Sequence, residues 1–105
     1  MDAAVRTVLD AYEARARQEH ERIAHLPFEQ AYALRDELLI CVGPDTGRLI
    51  EILARSLGAK SILELGTSYG YSTVWLAAAA RATGGCVVSL ELASHKVVYA
   101  REQLD

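Results

Sequence analysis

The chain is poor in the features that mark membrane, metal-bound or disulfide-stapled proteins. It has two prolines, two cysteines, one tryptophan and one phenylalanine in 105 residues. Cys41 and Cys86 share no metal-ligand spacing and read as free, largely buried thiols rather than a disulfide. His20, His25 and His95 form no i,i+4 pair and no zinc pattern, so they read as solvated helix residues. Long apolar runs are missing too: the stretch 75–80 is far too short to cross a bilayer. Residues 1–23 carry charges throughout and lack the apolar centre of a secretory signal. There is no positive excess, because 11 Lys and Arg stand against 14 Asp and Glu, a formal charge of −3. That balance gives no electrostatic reason to bind nucleic acid or an anionic membrane. The expectation is a cytoplasmic protein with a single domain over 1–105, at the small end for an α/β fold.

What is present is patterned. Val5, Val8, Leu9, Tyr12, Ala16 and Ile23 recur at helical spacing, which predicts an amphipathic helix over 2–23. Pro27 opens a second helix over 28–39, so the N-terminal helices occupy 1–40. Gly43-Pro44 reads as a turn, with Asp45 or Thr46 capping a third helix whose stripe is Leu49, Ile50, Leu53 and Leu57. "KSILEL" then reads as a strand, "YSTVWLAAAARA" as a helix and "CVVSLE" as a second strand, with Ser94 capping a last helix. Residues 60–91 thus form one βαβ unit with a right-handed crossover. Its strands are near-continuous apolar runs, which suit a parallel sheet covered on both faces.

The stretch "ILELGTSYGYST" is where chemistry concentrates. Ligands of open α/β sheets sit beyond the carboxyl ends of the strands. The first strand ends at Glu64, and an unpaired carboxylate inside a strand costs several kcal/mol, so donors are expected nearby. Gly66 permits a sharp exit from the strand, and Gly70 permits close approach of backbone or ligand. The loop and first helical turn offer unpaired N–H groups to an anion, and Ser72 adds a hydroxyl or a helix cap. Glu91 ends the second strand, 21 positions after Gly70, where an acid is placed to accept both ribose hydroxyls. The loop and the two strand-end acids together favour a ligand over a structural turn beside surface acids. A dinucleotide fits poorly: Gly66 and Gly70 are four apart rather than spanning the usual five, and Tyr71 falls where the next glycine would stand. An adenosine ligand without a pyrophosphate fits better.

"LELGTSYGYST" resembles the first motif of class I S-adenosylmethionine-dependent methyltransferases, and more narrowly of the catechol O-methyltransferase-like O-methyltransferases. The flanking "VGPDTGRLIEILARSLGAKSILELG" and "GGCVVSLELASHKVVYAREQL" are similar to that group too, so the resemblance spans about 42–104. It implies the N-terminal portion of a Rossmann-like methyltransferase fold, with 60–91 as the cofactor-binding unit. Position by position, it implies that Glu64 approaches the ammonium of S-adenosylmethionine and Ser72 bonds its carboxylate. Gly66, Thr67, Ser68 and Gly70 would form the loop beneath the methionine portion, Glu91 would hold the ribose, and Val42 would pack over the cofactor. Ser68 replaces the middle glycine of the general pattern, which this subgroup tolerates. Tyr69 and Tyr71 are either ligand contacts or props for the loop, and Trp75 is read as a packing residue.

The resemblance also implies what these residues do not supply. In the family a divalent cation, commonly Mg²⁺, holds the acceptor through acids and an amide beyond the fourth strand. No catalytic or metal-ligand set is therefore assigned within 1–105, and a small-molecule acceptor is expected only for a full-length protein. Two functions follow: the cofactor-binding part of an O-methyltransferase, or a non-catalytic half-domain that binds cofactor or self-assembles. In the family's strand order the first strand is central, so its outer edge here would expose backbone groups, a pairing liability. A homodimer through that edge or through helix faces is the expectation.

Overall fold

The computed structural model describes residues 2–105. Five helices and two strands follow in the order α1 (Ala3–Ile23), α2 (Phe28–Ala33), α3 (Gly43–Ser56), β1 (Ser61–Leu65), α4 (Tyr71–Thr83), β2 (Cys86–Leu90) and α5 (Ser94–Leu104). The strands pair in parallel with Ser61 opposite Cys86, Glu64 opposite Ser89 and Leu65 opposite Leu90. No helix among the described residues is long and apolar enough to cross a membrane.

α1 begins where Asp2 accepts the Ala4 N–H at 2.7 Å, satisfying one of the helix's free donors. It buries Leu9 and Tyr12. These join Leu39, Tyr69, Tyr71, Val74 and Trp75 in the core. The core thus sits between α1, α4 and the loop before α4, so whatever steadies α1 also steadies that loop. α3 packs on α4 where Gly47 lies against the Trp75 indole.

Several expectations are corrected. α2 stops at Ala33 rather than 39, and turns follow it. Distant side chains take over the backbone there: Glu19 accepts the Leu39 N–H at 2.8 Å, and Arg15 donates to the Glu37 carbonyl at 3.1 Å. α3 starts at Gly43 with Val42 as its cap, so neither Asp45 nor Thr46 caps it. Asp45 still lies in the first turn, where its charge suits the helix dipole. α5 is capped by Ala93, and Ser94 is its first helical residue. Both cysteines are free, but Cys86 is exposed at the start of β2 and Cys41 is only half-buried. The sheet is covered on one face only. Ile62, Glu64, Val87 and Ser89 turn toward α4, whereas Leu63 and Leu65 are 64% and 76% exposed, and Val88 and Leu90 are 54% and 53% exposed.

Candidate functional site

β1 and β2 end side by side, and the loop 66–70 folds over their ends. The N–H groups of Gly66 and Thr67 both donate to the Leu90 carbonyl, at 2.8 and 3.1 Å. The loop then turns through three left-handed positions: Gly66 at φ 90°, Ser68 at φ 51° and Gly70 at φ 102°. Ser68 is the one non-glycine residue with positive φ among the described residues. A side chain costs energy there, and the surroundings must hold it. They do so through Glu91, which accepts the Ser68 N–H at 2.7 Å.

Glu91 Oε1 takes that bond, and Oε2 accepts the Ala93 N–H at 3.0 Å. The backbone donors of Ala93 and Ser68, helped by Lys96, hold the Glu91 carboxyl below its ordinary value of 4.5. Each carboxylate oxygen has a second lone pair, so further donors can still be accepted. Glu64 points into the α4 side of the sheet and meets three hydroxyls. Ser72 donates to Oε2 at 2.5 Å, while Thr73 and Ser89 both donate to Oε1, Ser89 at 2.7 Å. The expectation that a strand-end carboxylate needs donors is met by side chains of the chain itself. Ser72 is not a cap here: Gly70 stands at the N-cap of α4, and the Ser72 hydroxyl serves Glu64.

The tyrosines brace this loop. Tyr12 donates to the Tyr69 carbonyl at 2.5 Å, and Tyr69 reaches the Glu37 carbonyl at 3.0 Å. Tyr71 donates to Glu13 at 2.8 Å. Arg15 lies over the Tyr69 ring at 4.6 Å, a cation–π contact that closes the same side. Tyr69 of the loop and Tyr71 at the start of α4 are therefore anchored to α1 and its neighbours, and Trp75 is buried in the core.

In front of the loop is a cavity of about 140 Å³ between the stretch 39–42 and Gly66, Thr67, Ser68 and Ser72. Val42 stands in its wall and is half-exposed. Of the residues singled out in the sequence, the cavity brings together Val42, Gly66, Thr67, Ser68 and Ser72, and Tyr69 and Tyr71 line it as well. Glu64 and Glu91 lie just outside it and bond to its residues Ser72 and Ser68. Gly70 stands apart. A Cβ there would sit 3.0 Å from the Tyr12 hydroxyl and 3.2 Å from the Ala100 methyl, so its visible role is close packing. Thr73 and Ser89 were not singled out. The only trace of Ser89 in the sequence is a polar residue within the apolar run "CVVSL".

A larger recess of about 560 Å³ lies elsewhere, between α1 and α3, with Arg6, Arg48, Glu51 and Arg55 in its wall. Three of its charges are already paired: Arg6 bonds Glu13 of α1 at 2.8 Å, and Arg55 bonds Glu51 at 3.1 Å. Volume alone points there. The unsaturated carboxylate of Glu91, the strained loop and the strand ends point to the smaller cavity.

No family model matches the chain. Individual proteins do. It is 39% identical over 66 residues to a catechol O-methyltransferase of Niastella koreensis, a match covering 63% of this chain and 29% of that protein. It is 38% identical over 65 residues to a catechol O-methyltransferase of Mycobacterium tuberculosis, covering 62% and 29%. Among solved structures it is similar to the O-methyltransferase from Bacillus cereus in complex with SAH, with 32% identity and a TM-score of 0.61. That match covers 99% of this chain and 38% of the other. It is also similar to the O-methyltransferase TomG from Streptomyces achromogenes, involved in tomaymycin synthesis and solved with SAM, with 30% identity and a TM-score of 0.62. There the coverage is 99% and 37%.

The chain has the fold of the N-terminal part of a Rossmann-like methyltransferase. The curated proteins it is similar to are catechol O-methyltransferases, and the solved structures it is similar to are O-methyltransferases. It spans 29% of the length of the curated relatives it matches.

Proposed function

We propose that the chain forms the S-adenosylmethionine-binding part of an O-methyltransferase that methylates a hydroxyl of a small molecule in the cytoplasm. The observation that carries this reading is that Glu91 holds the strained loop at its centre, Ser68, while Glu64 holds the first turn of α4 just beyond it, at Ser72. The cofactor, when bound, supplies an activated methyl group. The residues suit two ends of that ligand. Glu91 is ionised at neutral pH and retains lone pairs for ribose hydroxyls. Glu64 offers a carboxylate to an ammonium, and Ser72 offers a hydroxyl to the neighbouring carboxyl group. Val42 lies at the rim, where it can pack over the ligand. A cavity of about 140 Å³ is small beside the roughly 300–1,000 Å³ of ordinary ligand sites, so it takes only part of such a molecule.

Methyl transfer also needs an acceptor oxygen held in line with the methyl group and a base for its proton. No group of three or more His, Cys, Asp or Glu among the described residues is disposed to hold a metal ion. This reading therefore assigns the acceptor, a divalent cation such as Mg²⁺ and the base to residues outside these 105. The chain alone is expected to bind cofactor weakly and to turn over no catechol-like acceptor. Calorimetry with S-adenosylhomocysteine tests the binding. The expected result is a measurable heat that Glu91→Ala reduces at least tenfold in affinity; no heat, or no effect of Glu91→Ala, removes the reading.

The bare face of the sheet favours a second role that is compatible with the first. Leu63, Leu65, Val88 and Leu90 form an exposed apolar surface beside the unpaired edge of β1. Such a surface invites association, and we propose that the 105-residue chain forms a homodimer through it.

A further inference from the structure

We propose that Thr73 and Ser89 are positioning residues that lock one oxygen of Glu64, so that the other is free to exchange its donor for a ligand ammonium. The inference rests on the cofactor reading above and deepens it. The donors around Glu64 are divided unevenly. Thr73 from α4 and Ser89 from β2 both donate to Oε1, which fills that oxygen from two separate elements. Ser72 alone donates to Oε2.

The direction of the chain of hydroxyls follows from proton counting. A hydroxyl has one hydrogen to give. Ser89 spends its hydrogen on Glu64, so in the 2.5 Å contact between Thr67 and Ser89 it is Thr67 that donates. Thr67 is buried and its N–H is fixed to the Leu90 carbonyl at 3.1 Å. Thr67, Ser89 and Glu64 therefore form a directed relay across the two strand ends, with Thr73 closing it from the helix. Register explains why Ser89 reaches: it is the residue paired with Glu64 across the sheet.

Ser72 has no such double duty. It is half-buried, in the cavity wall, and its hydroxyl must leave Oε2 to donate to any other acceptor. An incoming amino acid moiety makes that exchange balanced. Its ammonium donates to Oε2 in place of Ser72, and the released Ser72 hydroxyl donates to its carboxylate. No acceptor or donor is lost, and Oε1 does not move because Thr73 and Ser89 hold it. The carboxylate is thus presented already aimed, which lowers the ordering cost of binding.

The test uses two ligands that share adenine and ribose. S-adenosylhomocysteine carries the amino acid moiety; 5′-methylthioadenosine does not. Dissociation constants are measured for the parent chain, Ser89→Ala, Thr73→Val and the hydroxyl-retaining Ser89→Thr and Thr73→Ser. Removing one hydroxyl is expected to weaken S-adenosylhomocysteine roughly tenfold while leaving 5′-methylthioadenosine within about twofold. The hydroxyl-retaining variants are expected to restore the parent value, and the two sites lie on different elements, so one misfolded variant leaves the other to decide. Equal losses for both ligands, or unchanged affinity for S-adenosylhomocysteine, would overturn the positioning role and leave the cofactor site standing. A parent chain that binds neither ligand would overturn both.

Discussion

The Tyr12 hydroxyl on α1 donates to the Tyr69 backbone carbonyl at 2.5 Å, which ties the first helix to the glycine loop across 57 positions of sequence. Tyr12 is among the most completely buried side chains, and its burial pushes the phenol up well beyond its ordinary value. The bond is therefore a neutral, permanent brace at any working pH. Tyr12→Phe keeps the ring but leaves the Tyr69 carbonyl without that partner. The expected cost is about 1–3 kcal/mol in urea unfolding, with faster hydrogen exchange at the Ser68 and Gly70 amides. Unchanged exchange would mean that the loop is held by other contacts.

The two loop glycines should separate in a mutational comparison. Gly66→Ala meets only backbone strain, since nothing lies within 4 Å of an added Cβ. Gly70→Ala meets the same strain and also the Tyr12 hydroxyl and Ala100. Left-handed strain costs about 1–2 kcal/mol, and the crowding adds to it at Gly70. Thermal denaturation should rank parent above Gly66→Ala above Gly70→Ala.

Gly47→Ala addresses the other side of α4. An added Cβ would lie 2.2 Å from the Trp75 indole nitrogen, so α3 must shift from α4. Overpacking of this kind costs roughly 1–3 kcal/mol. Trp75 is the only tryptophan, so its fluorescence reports the change directly.

How far the sequence could be read depended on whether the cause was local. β1, α4 and β2 were legible nearly to the residue because apolar runs, glycines and helix formers act within a few positions. The strand-end acids were legible for the same reason: a carboxylate at the end of an apolar run needs an explanation. The early end of α2 was not, because Glu19, Arg15 and Tyr69 capture its backbone from distant positions. Nor were Ser89 and Thr73 as partners of Glu64, which depend on strand register and on the angle of α4. Gly70 reads in the sequence as a point of close approach for backbone or ligand; that its missing side chain also makes room for Tyr12 depends on the tertiary fold.

Acid should act on the site through Glu91. Its carboxyl is lowered in the folded chain, chiefly by the Ala93 and Ser68 N–H donors. A lowered acid contributes stability that is fully present above the ordinary glutamate value and fades as pH falls through its own lower one. Glu91→Gln removes that contribution. The parent should lose stability relative to Glu91→Gln on going from pH 6 to about pH 3, with the gap widest at neutral pH. Denaturant midpoints across this range would show it; parallel curves would mean that the carboxylate bonds contribute nothing.

Association is expected at the bare sheet face. Sedimentation velocity of the 105-residue chain at micromolar concentration should show a dimer, and Leu63→Lys together with Leu65→Lys should return it to a monomer. A parent chain that sediments as a monodisperse monomer would contradict the homodimer.

The central claim is that an S-adenosyl ligand lies across the ends of β1 and β2. A ¹⁵N-edited titration with S-adenosylhomocysteine reads this residue by residue. The account predicts that the largest shifts fall on the amides of Gly66, Thr67, Ser68, Ser72 and Ala93. Shifts concentrated around Arg48 and Trp75 in the recess between α1 and α3, or no shifts at all, would contradict it.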